Sequence, residues 1–588
     1  MDGLPWLGVA GAIAGSALAF IAERRGRRRA ALWLLVLAAL CLRIPPAWHL
    51  GLSPWDERYH ALVALNALHD PFVPELVAQP LSEPAVDDWR HSHVWLHKPP
   101  GMTWLIALSY RLFGVNELAL RVPSVVLSSL LVLVVFAIAR RFASAEAALF
   151  AAALAAWNGW VMLLVAGYRA SDHVDVGMTF ATALGALAAL RAAESLDDRR
   201  ALVRRALGVG ALTAAAYYVK ETPALVVPAV LFLALRARGA SWRASVTVTA
   251  GSLAVAAALV LPWLLYTAHA FPELAAFARA RGARYFFHVV DGQGGPWYFH
   301  FANLDSDFSV LGLLAIAWLG VQAVRRRELR PLAGWIILVY GVFTLAATKM
   351  QAYPMVALPA VLCALGWFAC DAGPVRLRPI LCLLLAAYVV ISPVTIAGPQ
   401  ADRPRDPLWA SELRGLGQEV AKLPPGKRLV FVPDSPIECM FYTGATCISG
   451  QATAEQVADA RAKGFAVAVY GAADLPGVTA IPFDPRALPA RRLAAALRAR
   501  AAKDVAVFNA RDARQLESYL GRSIHHADVS AELPRKSRRL ERKQSQGTTL
   551  IVLLQPGTPQ PEAVKSEFPD AVFLEDASYA RALDSKAP

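Results

Sequence analysis

Long apolar blocks constrain this chain more than any other feature of its sequence. A helix needs about 20 mostly apolar residues to cross a bilayer, because its backbone polar groups must all pair within the helix. Charged residues make up 18% of the chain, against about 25% in soluble domains. We therefore predict a polytopic α-helical membrane protein with about twelve transmembrane helices, at residues 5–22, 31–47, 122–139, 147–166, 174–193, 204–219, 222–236, 244–266, 307–324, 332–348, 353–370 and 378–397.

The arginines lie in alternate short loops between these blocks, at residues 24–29, 140–141, 199–205, 236–243, 325–330 and 376–378. Cytoplasmic loops of membrane proteins are enriched in arginine and lysine, so we predict that these loops are cytoplasmic. Both termini, a first outer loop at 48–121 and everything after residue 398 then lie outside the cytoplasm. The net charge of +14 reports this topology, and we predict no nucleic-acid partner.

The pattern changes at residue 398, which divides the chain into a transmembrane domain at 1–397 and a soluble domain at 398–588. Short β-branched runs at 428–432, 466–470, 478–482, 505–508 and 549–554 alternate with helical patterns at 453–463, 486–502 and 511–520. Strands separated by helices predict an extracytoplasmic α/β domain with a largely parallel sheet. No glycine-rich phosphate loop follows these strands, so we assign this domain no catalysis. Its Cys439 and Cys447 are close enough to form a disulfide in an oxidising compartment.

Charged residues on the outer side gather mainly in the first outer loop. Residues 55–60 read Trp-Asp-Glu-Arg-Tyr-His, and residues 97–100 read His-Lys-Pro-Pro. Charges near a membrane are costly unless they serve a pathway or a site. The further outer positions are Arg169, Asp172, Asp175, Lys220, Lys349 and Tyr353. With Asp56 and Lys98, these residues predict an anion site beside a base.

Two amphipathic stretches belong to the same loop, at about 57–69 and 101–113. Such helices lie along the membrane interface, where a lipid headgroup is presented. An equally good interpretation is a lipid-facing helix with no catalytic role. The sequence leaves both open.

The order of these motifs resembles the GT-C superfamily of aminoarabinose transferases and protein mannosyltransferases. The resemblance begins with Asp56-Glu57-Arg58-Tyr59 at the end of a transmembrane block, then Lys98-Pro99-Pro100 before residues 104–108, then residues 112–114 and 121–124. It continues with residues 175–180, with Lys220 before Pro223 and Pro228, and with Lys349 before Tyr353 and Pro359. Two positions depart from the family pattern: His97 replaces an acid, and Glu221 replaces a glycine.

The resemblance implies an inverting glycosyltransferase, a hexosyl or pentosyl transferase. It would move one sugar from a polyprenyl-phosphate donor to a lipid, glycan or protein acceptor at the outer face of the cytoplasmic membrane. Asp56 is the candidate general base, because a hydroxyl nucleophile must lose its proton. Lys98, Lys220 and Lys349 are expected to hold the leaving phosphate.

Other residues receive supporting roles in this hypothesis. Asp175 would orient Lys220 or a sugar hydroxyl, and Arg169 and Asp172 would complete the binding set. Glu57 is either a structural partner of Arg58 or Lys98 or a second acid. Arg284 and Tyr285, with residues 296–298, would line the route taken by the lipid or acceptor.

We expect no required cofactor, because a monophosphate carrier does not demand a metal. A divalent cation at His91, His93 and His97 is the alternative, since closely spaced imidazoles converge easily. A lipid or sugar transporter, a non-catalytic envelope assembly protein and a diphosphate-dependent ligase remain as alternative functions. A transporter would place charges near the bilayer midplane and broken helices in paired halves.

Overall fold

The structure of the protein is a computed structural model. It describes residues 4–53, 55–82, 86, 92–169, 172–290, 293–373, 375–397, 407–432, 435–450, 452–471, 475–482, 504–508, 525–527, 550–554, 562, 566 and 572–574. The chain divides into two compact units. The first comprises Met1–Ala78 and Glu83–Arg405, and the second comprises Gln79–Ser82 and Asp406–Pro588.

The first unit is helical. Its first eight α-helices are α1 (Leu4–Arg24), α2 (Arg28–Ala47), α3 (Asp56–Asn66), α4 (Gly101–Phe113), α5 (Glu117–Ala139), α6 (Ala145–Ala156), α7 (Gly159–Val165) and α8 (Asp172–Ala193). The next eight are α9 (Arg199–Val219), α10 (Val226–Ala237), α11 (Trp242–Ala270), α12 (Pro272–Phe287), α13 (Phe299–Arg325), α14 (Arg330–Leu345), α15 (Leu358–Trp367) and α16 (Arg378–Ala397).

Each predicted transmembrane block coincides with one of these helices or with a helix pair. In the described part of the chain, seven helices are long and apolar enough to cross a membrane. The number is eight if α6 and α7, which are bent by 40°, form one span. A multi-pass helical membrane protein is thereby confirmed, whereas the full set of about twelve spans stays a prediction.

The bend between α6 and α7 has a local cause. The Asn158 side chain accepts a hydrogen bond of 2.9 Å from the backbone N–H of Val161. An asparagine in this position caps the start of a new helix, so α7 starts in a new direction immediately after α6 ends. The predicted block at 147–166 is therefore two helices.

The first outer loop contains two helices near the predicted amphipathic stretches. They are α3 and α4, and a further helix, α12, follows α11. The sequence analysis treated the residues of α12 as an outer loop. Glu273 and three arginines interrupt the apolar residues of this helix, so α12 lacks the apolar block that revealed the transmembrane helices.

The second unit contains parallel strands, as the sequence predicted. They are β1 (Lys427–Val432), β2 (Thr446–Ser449), β3 (Phe465–Tyr470), β4 (Thr479–Ile481), β5 (Asp504–Phe508), β6 (His525–Ala527), β7 (Leu550–Leu554) and β8 (Val572–Leu574). They form one sheet in the order β2-β1-β3-β4 and another in the order β6-β5-β7-β8. Every pairing within these two sheets is parallel.

Three described helices accompany the strands: α17 (Pro407–Ala421), α18 (Pro436–Thr443) and α19 (Ala454–Ala462). The last matches the predicted helix at 453–463, and it packs Val457 and Ala460 against Leu429 and Phe431 of β1. The predicted helices at 486–502 and 511–520 lie outside the described residues. A disulfide joins Cys439 of α18 to Cys447 of β2.

Candidate active site

A cavity of about 730 Å³ lies in the first unit. Its polar lining comes from the start of α3, the segment before α4, the first turn of α8, the turn after α9, and α12. The charged lining residues are Asp56, Arg58, Lys98, Asp175, Lys220, Glu221 and Arg281. Three carboxylates and four cations therefore share one cavity, which is the combination predicted for an anion site beside a base.

Asp56 is the first residue of α3. The unpaired N–H groups and the macrodipole at a helix N-terminus favour a negative charge, so the carboxylate is electrostatically suited to this position. It is partly buried and lines the cavity. A carboxylate in such a place is suited to accept a proton from a hydroxyl that enters the cavity.

Lys220 and Asp175 form an ion pair at the cavity wall. The Lys220 Nζ donates to Asp175 Oδ1 at 2.5 Å, and the same ammonium lies 5.6 Å from the centre of the Tyr353 ring. Lys220 follows the last residue of α9, whereas Asp175 stands in the first turn of α8. The pair holds one cation in a fixed position without removing it from the cavity.

Lys98 and His97 lie in the segment before α4. Burial lowers the pKa of the Lys98 ammonium, and the positive charge of Lys220 lowers it further, while the Asp56 carboxylate acts in the opposite direction. Burial beside Lys98 and Arg281 holds the pKa of His97 well below its usual range. His97 is therefore neutral at neutral pH, and Lys98 is a cation that loses its proton more readily than an ordinary lysine.

Glu57 is fully buried and forms an ion pair with Arg121 of α5. The Arg121 Nε donates to Glu57 Oε1 at 2.7 Å, and its Nη2 donates to Oε2 at 3.2 Å. Sequence analysis named Arg58 or Lys98 as partners of Glu57. Arg121 belongs to the motif at 121–124, but the sequence does not show that its side chain is directed towards Glu57.

Asp172 belongs to a second buried network. Its Oδ1 lies 3.0 Å from His60 Nδ1, and both side chains are fully buried. The neighbouring His173 is 2.9 Å from Ser124 Oγ through Nδ1, and 3.3 Å from Glu57 Oε1 through Nε2. The structure thus places Asp172 among buried partners and not in the lining of the cavity.

The Lys349 side chain also lies outside the cavity lining. Its Nζ donates to the carbonyl oxygens of Thr344 and Ala346 at 2.8 Å each, at the end of α14. Cations at a helix C-terminus interact favourably with the helix dipole and the last carbonyls. The charge of Lys349 is therefore directed to the end of α14, and the residue is not in the cavity lining.

The remaining predicted residues divide between the cavity and its surroundings. Tyr285 and Tyr353 line the cavity, whereas Arg169 and Arg284 do not. Arg169 stacks on the Trp160 ring, with the guanidinium carbon 5.8 Å from the ring centre. Arg281, one helical turn before Tyr285, donates to the Tyr285 hydroxyl at 2.9 Å and lines the cavity in place of the predicted Arg284.

Apolar side chains form the other part of the cavity. They include Leu338, Val339, Val342 and Phe343 of α14, with Leu225 and Val226 at the start of α10. An open apolar groove of about 530 Å³ lies beside it on α10, α11 and α14, and it shares Leu225 and Leu338 with the cavity. The charged part of the cavity is therefore continuous with an apolar surface.

The sequence of this chain matches one family model and several curated relatives. The family model described as dolichyl-phosphate-mannose-protein mannosyltransferase matches residues 97–266. Two relatives from Pseudomonas aeruginosa strains, both named undecaprenyl phosphate-alpha-4-amino-4-deoxy-L-arabinose arabinosyl transferase, are 29% and 31% identical over 46% of this chain and 49% of theirs. The chain thus spans about half the length of the curated relatives it matches.

Solved structures extend the likeness beyond the aligned sequences. The crystal structure of ArnT from Cupriavidus metallidurans bound to undecaprenyl phosphate matches with a TM-score of 0.54 at 15% identity. The match covers 73% of this chain and 87% of ArnT. The chain has the fold of ArnT. The resemblance predicted from the motifs is confirmed, and the chain is related to the aminoarabinose transferases and protein mannosyltransferases.

Within this chain, the segment that matches the family model contains only part of the site. Residues 97–266 include Lys98, Asp175 and Lys220, whereas Asp56 precedes the segment and Arg281 follows it. The structure joins the three parts in one cavity. Position along the sequence alone gave no reason to group Arg281 with the others.

The residues that the structure describes include no group of three or more His, Cys, Asp or Glu side chains placed to hold a metal ion. His93 and His97 are described, whereas His91 of the predicted divalent-cation alternative lies outside those residues.

Proposed function

We propose that this chain is an inverting glycosyltransferase that moves one sugar from a polyprenyl-phosphate donor to a hydroxyl of an envelope lipid, glycan or protein. The site lies at the outer face of the cytoplasmic membrane. One observation carries the proposal: a single cavity combines Asp56, the cations Lys98 and Lys220, and an apolar wall from α14. A lipid phosphate needs both a cationic and an apolar surface.

The donor fits this cavity in a specific way. Its phosphate lies at the cationic end, where Lys98 and Lys220 offset the negative charge, and Arg58 and Arg281 are further cations in the same lining. Its prenyl chain follows the apolar wall past Leu225 and Leu338 into the adjoining groove. The likeness to transferases named for an undecaprenyl-phosphate donor supports this choice of donor class.

The reaction is a direct displacement at the anomeric carbon. Asp56 takes the proton of the acceptor hydroxyl as the oxygen attacks, and the bond between the anomeric carbon and the phosphate oxygen breaks. The electron pair leaves with the phosphate, whose growing charge Lys98 and Lys220 stabilise in a partly dewatered site. The ion pair with Asp175 keeps Lys220 in position throughout. The leaving phosphate is a stable anion, so no general acid is needed.

The test is a transfer assay with the purified full-length protein in lipid nanodiscs. Polyprenyl-phosphate pentoses and hexoses serve as donors, and envelope lipids, glycans and proteins serve as acceptors. We expect transfer by the wild-type protein, and a fall of at least about 100-fold in Asp56→Asn with donor binding retained. Asp70→Asn is the matched control, because Asp70 is an exposed acid in the same outer loop that accepts a hydrogen bond from the Phe72 N–H.

Two results would contradict the proposal. The first is transfer by Asp56→Asn at the wild-type rate, which would remove Asp56 as the base. The second is movement of the labelled polyprenyl lipid across the bilayer by the wild-type protein without sugar transfer, which would favour a transporter.

A further inference from the structure

The buried pair of Glu57 and Arg121 adjoins the proposed base in sequence but takes no part in lining the cavity. Glu57 follows Asp56 in the first turn of α3, and both members of the pair are 0% exposed. Burying two charges is costly unless further hydrogen bonds satisfy them. Both side chains therefore need hydrogen-bond partners beyond each other.

Arg121 holds the connection between α2 and α3. Its Nη1 donates to the carbonyl oxygens of Ala47 at 2.9 Å and His49 at 2.6 Å, and its Nη2 donates to Gly51 O at 2.7 Å. The planar guanidinium has five donors in a fixed fork, which lysine cannot reproduce. Three carbonyls in five residues are thereby fixed to one side chain of α5.

Two backbone N–H groups in the same connection also donate to buried carboxylates. The Ser53 N–H donates to Glu57 Oε2 at 2.6 Å, and the Gly51 N–H donates to Glu117 Oε1 at 2.9 Å. Residues 47–53 lead directly into Asp56, so these bonds determine where α3 begins. Glu57 links both sets, because it accepts from Ser53 and from Arg121.

We propose that Glu57 and Arg121 are positioning residues for Asp56: the pair fixes the chain that leads into α3. This inference rests on the proposed function, since it assigns Asp56 as the base. The sequence analysis expected Glu57 to be a partner of Arg58 or Lys98 or a second acid, whereas here it acts through its neighbour.

Two substitutions test the two members of the pair. Glu57→Gln removes the carboxylate that accepts from Ser53 and Arg121, and Arg121→Lys keeps the charge but loses the fork. In both variants kcat is expected to fall about 10- to 100-fold while the donor KM stays near the wild-type value.

Arg43→Lys is the matched control. Arg43 is also buried, and it donates to three carbonyls, Ala39 O, Ala155 O and Ala156 O, but it lies on α2 away from residues 48–56. The same substitution there is expected to lower thermal stability with kcat unchanged. A loss of kcat equal to that of Arg121→Lys would mean that any buried arginine has this effect.

Hydrogen–deuterium exchange tests, without an activity assay, whether the pair holds the connection between α2 and α3. Exchange at the Gly51 and Ser53 amides is expected to be faster in Arg121→Lys than in wild type or Arg43→Lys. Wild-type exchange in this segment, or a wild-type kcat in Arg121→Lys, would overturn the inference. Absence of transfer by the wild-type protein would instead contradict the proposed function, and the exchange result would still decide whether the pair holds the connection.

Discussion

Gly167 lies against the buried Glu57 carboxylate, with no space for a larger residue. Its φ of +69° is unfavourable for residues with a side chain, and an added Cβ would lie 2.4 Å from Glu57 Oε1. We predict that Gly167→Ala lowers the free energy of unfolding by more than about 2 kcal/mol, measured by denaturant titration of the purified protein.

Gly114→Ala is the control for the backbone term alone. Gly114 also has a positive φ, +78°, but nothing lies within 4 Å of its added Cβ. Its cost should be only the conformational one of about 1–2 kcal/mol. Equal destabilisation by the two substitutions would show that contact with Glu57 adds nothing.

Lys98 gives the site a predictable pH dependence. In the proposed function the ammonium is the form that attracts the donor phosphate, and burial together with the charge of Lys220 lowers its pKa. Above neutral pH the charge is lost earlier than in an ordinary lysine, whose pKa is about 10.4. We predict that the donor KM rises between neutral pH and that value, as measured from initial rates at several pH values.

Lys98→Arg provides the comparison, because an arginine stays protonated over this range. Its donor KM should be nearly independent of pH on the alkaline side. If wild type and Lys98→Arg have the same pH profile, Lys98 does not bind the phosphate.

At the scale of residues, the sequence predicts which residues belong to the site better than it predicts where their side chains point. Asp56, Lys98, Asp175 and Lys220 were named from their outer-end positions, and the structure brings them into one cavity. Lys349 shared that position, yet its charge is directed to the carbonyls at the end of α14. Which way a side chain turns depends on neighbours distant in sequence, and a single sequence does not reveal them.

At the scale of elements, the length of apolar blocks predicted the helices that cross the membrane. A transmembrane helix must pair its backbone N–H and C=O groups within itself, so the apolar pattern that predicts it is local in sequence. The helix α12 was missed because it has no such apolar block, and its arginines resemble those of a loop. The strands β2, β6 and β8 have three or four residues each and were missed, whereas the equally short β4 was found because the predicted β-branched run at 478–482 extends beyond it.

The disulfide between Cys439 and Cys447 joins two of the elements in the second unit, α18 and β2. It closes a short loop, and the chain-entropy relation gives about 2.5 kcal/mol for a loop of this length. We predict that Cys439→Ala with Cys447→Ala lowers the free energy of unfolding of the second unit by roughly that amount. Hydrogen exchange of the peptides from β1 to β3, followed under increasing denaturant, measures the change.

Dithiothreitol provides an internal check on this prediction. It should destabilise the wild-type second unit as much as the double substitution does, and it should have no effect on the double variant. A stability that is unchanged by both treatments would contradict a stabilising role for the bond.

At the scale of the whole molecule, the alternation of arginine loops predicts which segments face the cytoplasm. We predict that a cysteine at Asp70, in the first outer loop, reacts with a membrane-impermeant maleimide in intact cells. A cysteine at Arg27, between α1 and α2, should react only after the membrane is permeabilised. Both positions are exposed to solvent or lipid headgroups, so accessibility alone does not separate them.

The background for this experiment is a chain in which the free cysteines Cys41, Cys363, Cys370 and Cys382 are replaced by alanine. Labelling at Arg27 alone in intact cells would reverse the predicted orientation and place Asp56 and Lys98 on the cytoplasmic side. Labelling at both positions would contradict the predicted alternation of the loops.

The two sheets of the second unit draw their strands from separate stretches of chain. Residues 427–481 supply all four strands of one sheet, and residues 504–574 supply all four of the other, in the same spatial order. Among the described strands, no pairing joins one stretch to the other. A break in the chain between the two stretches would therefore interrupt neither of these hydrogen-bonded ladders.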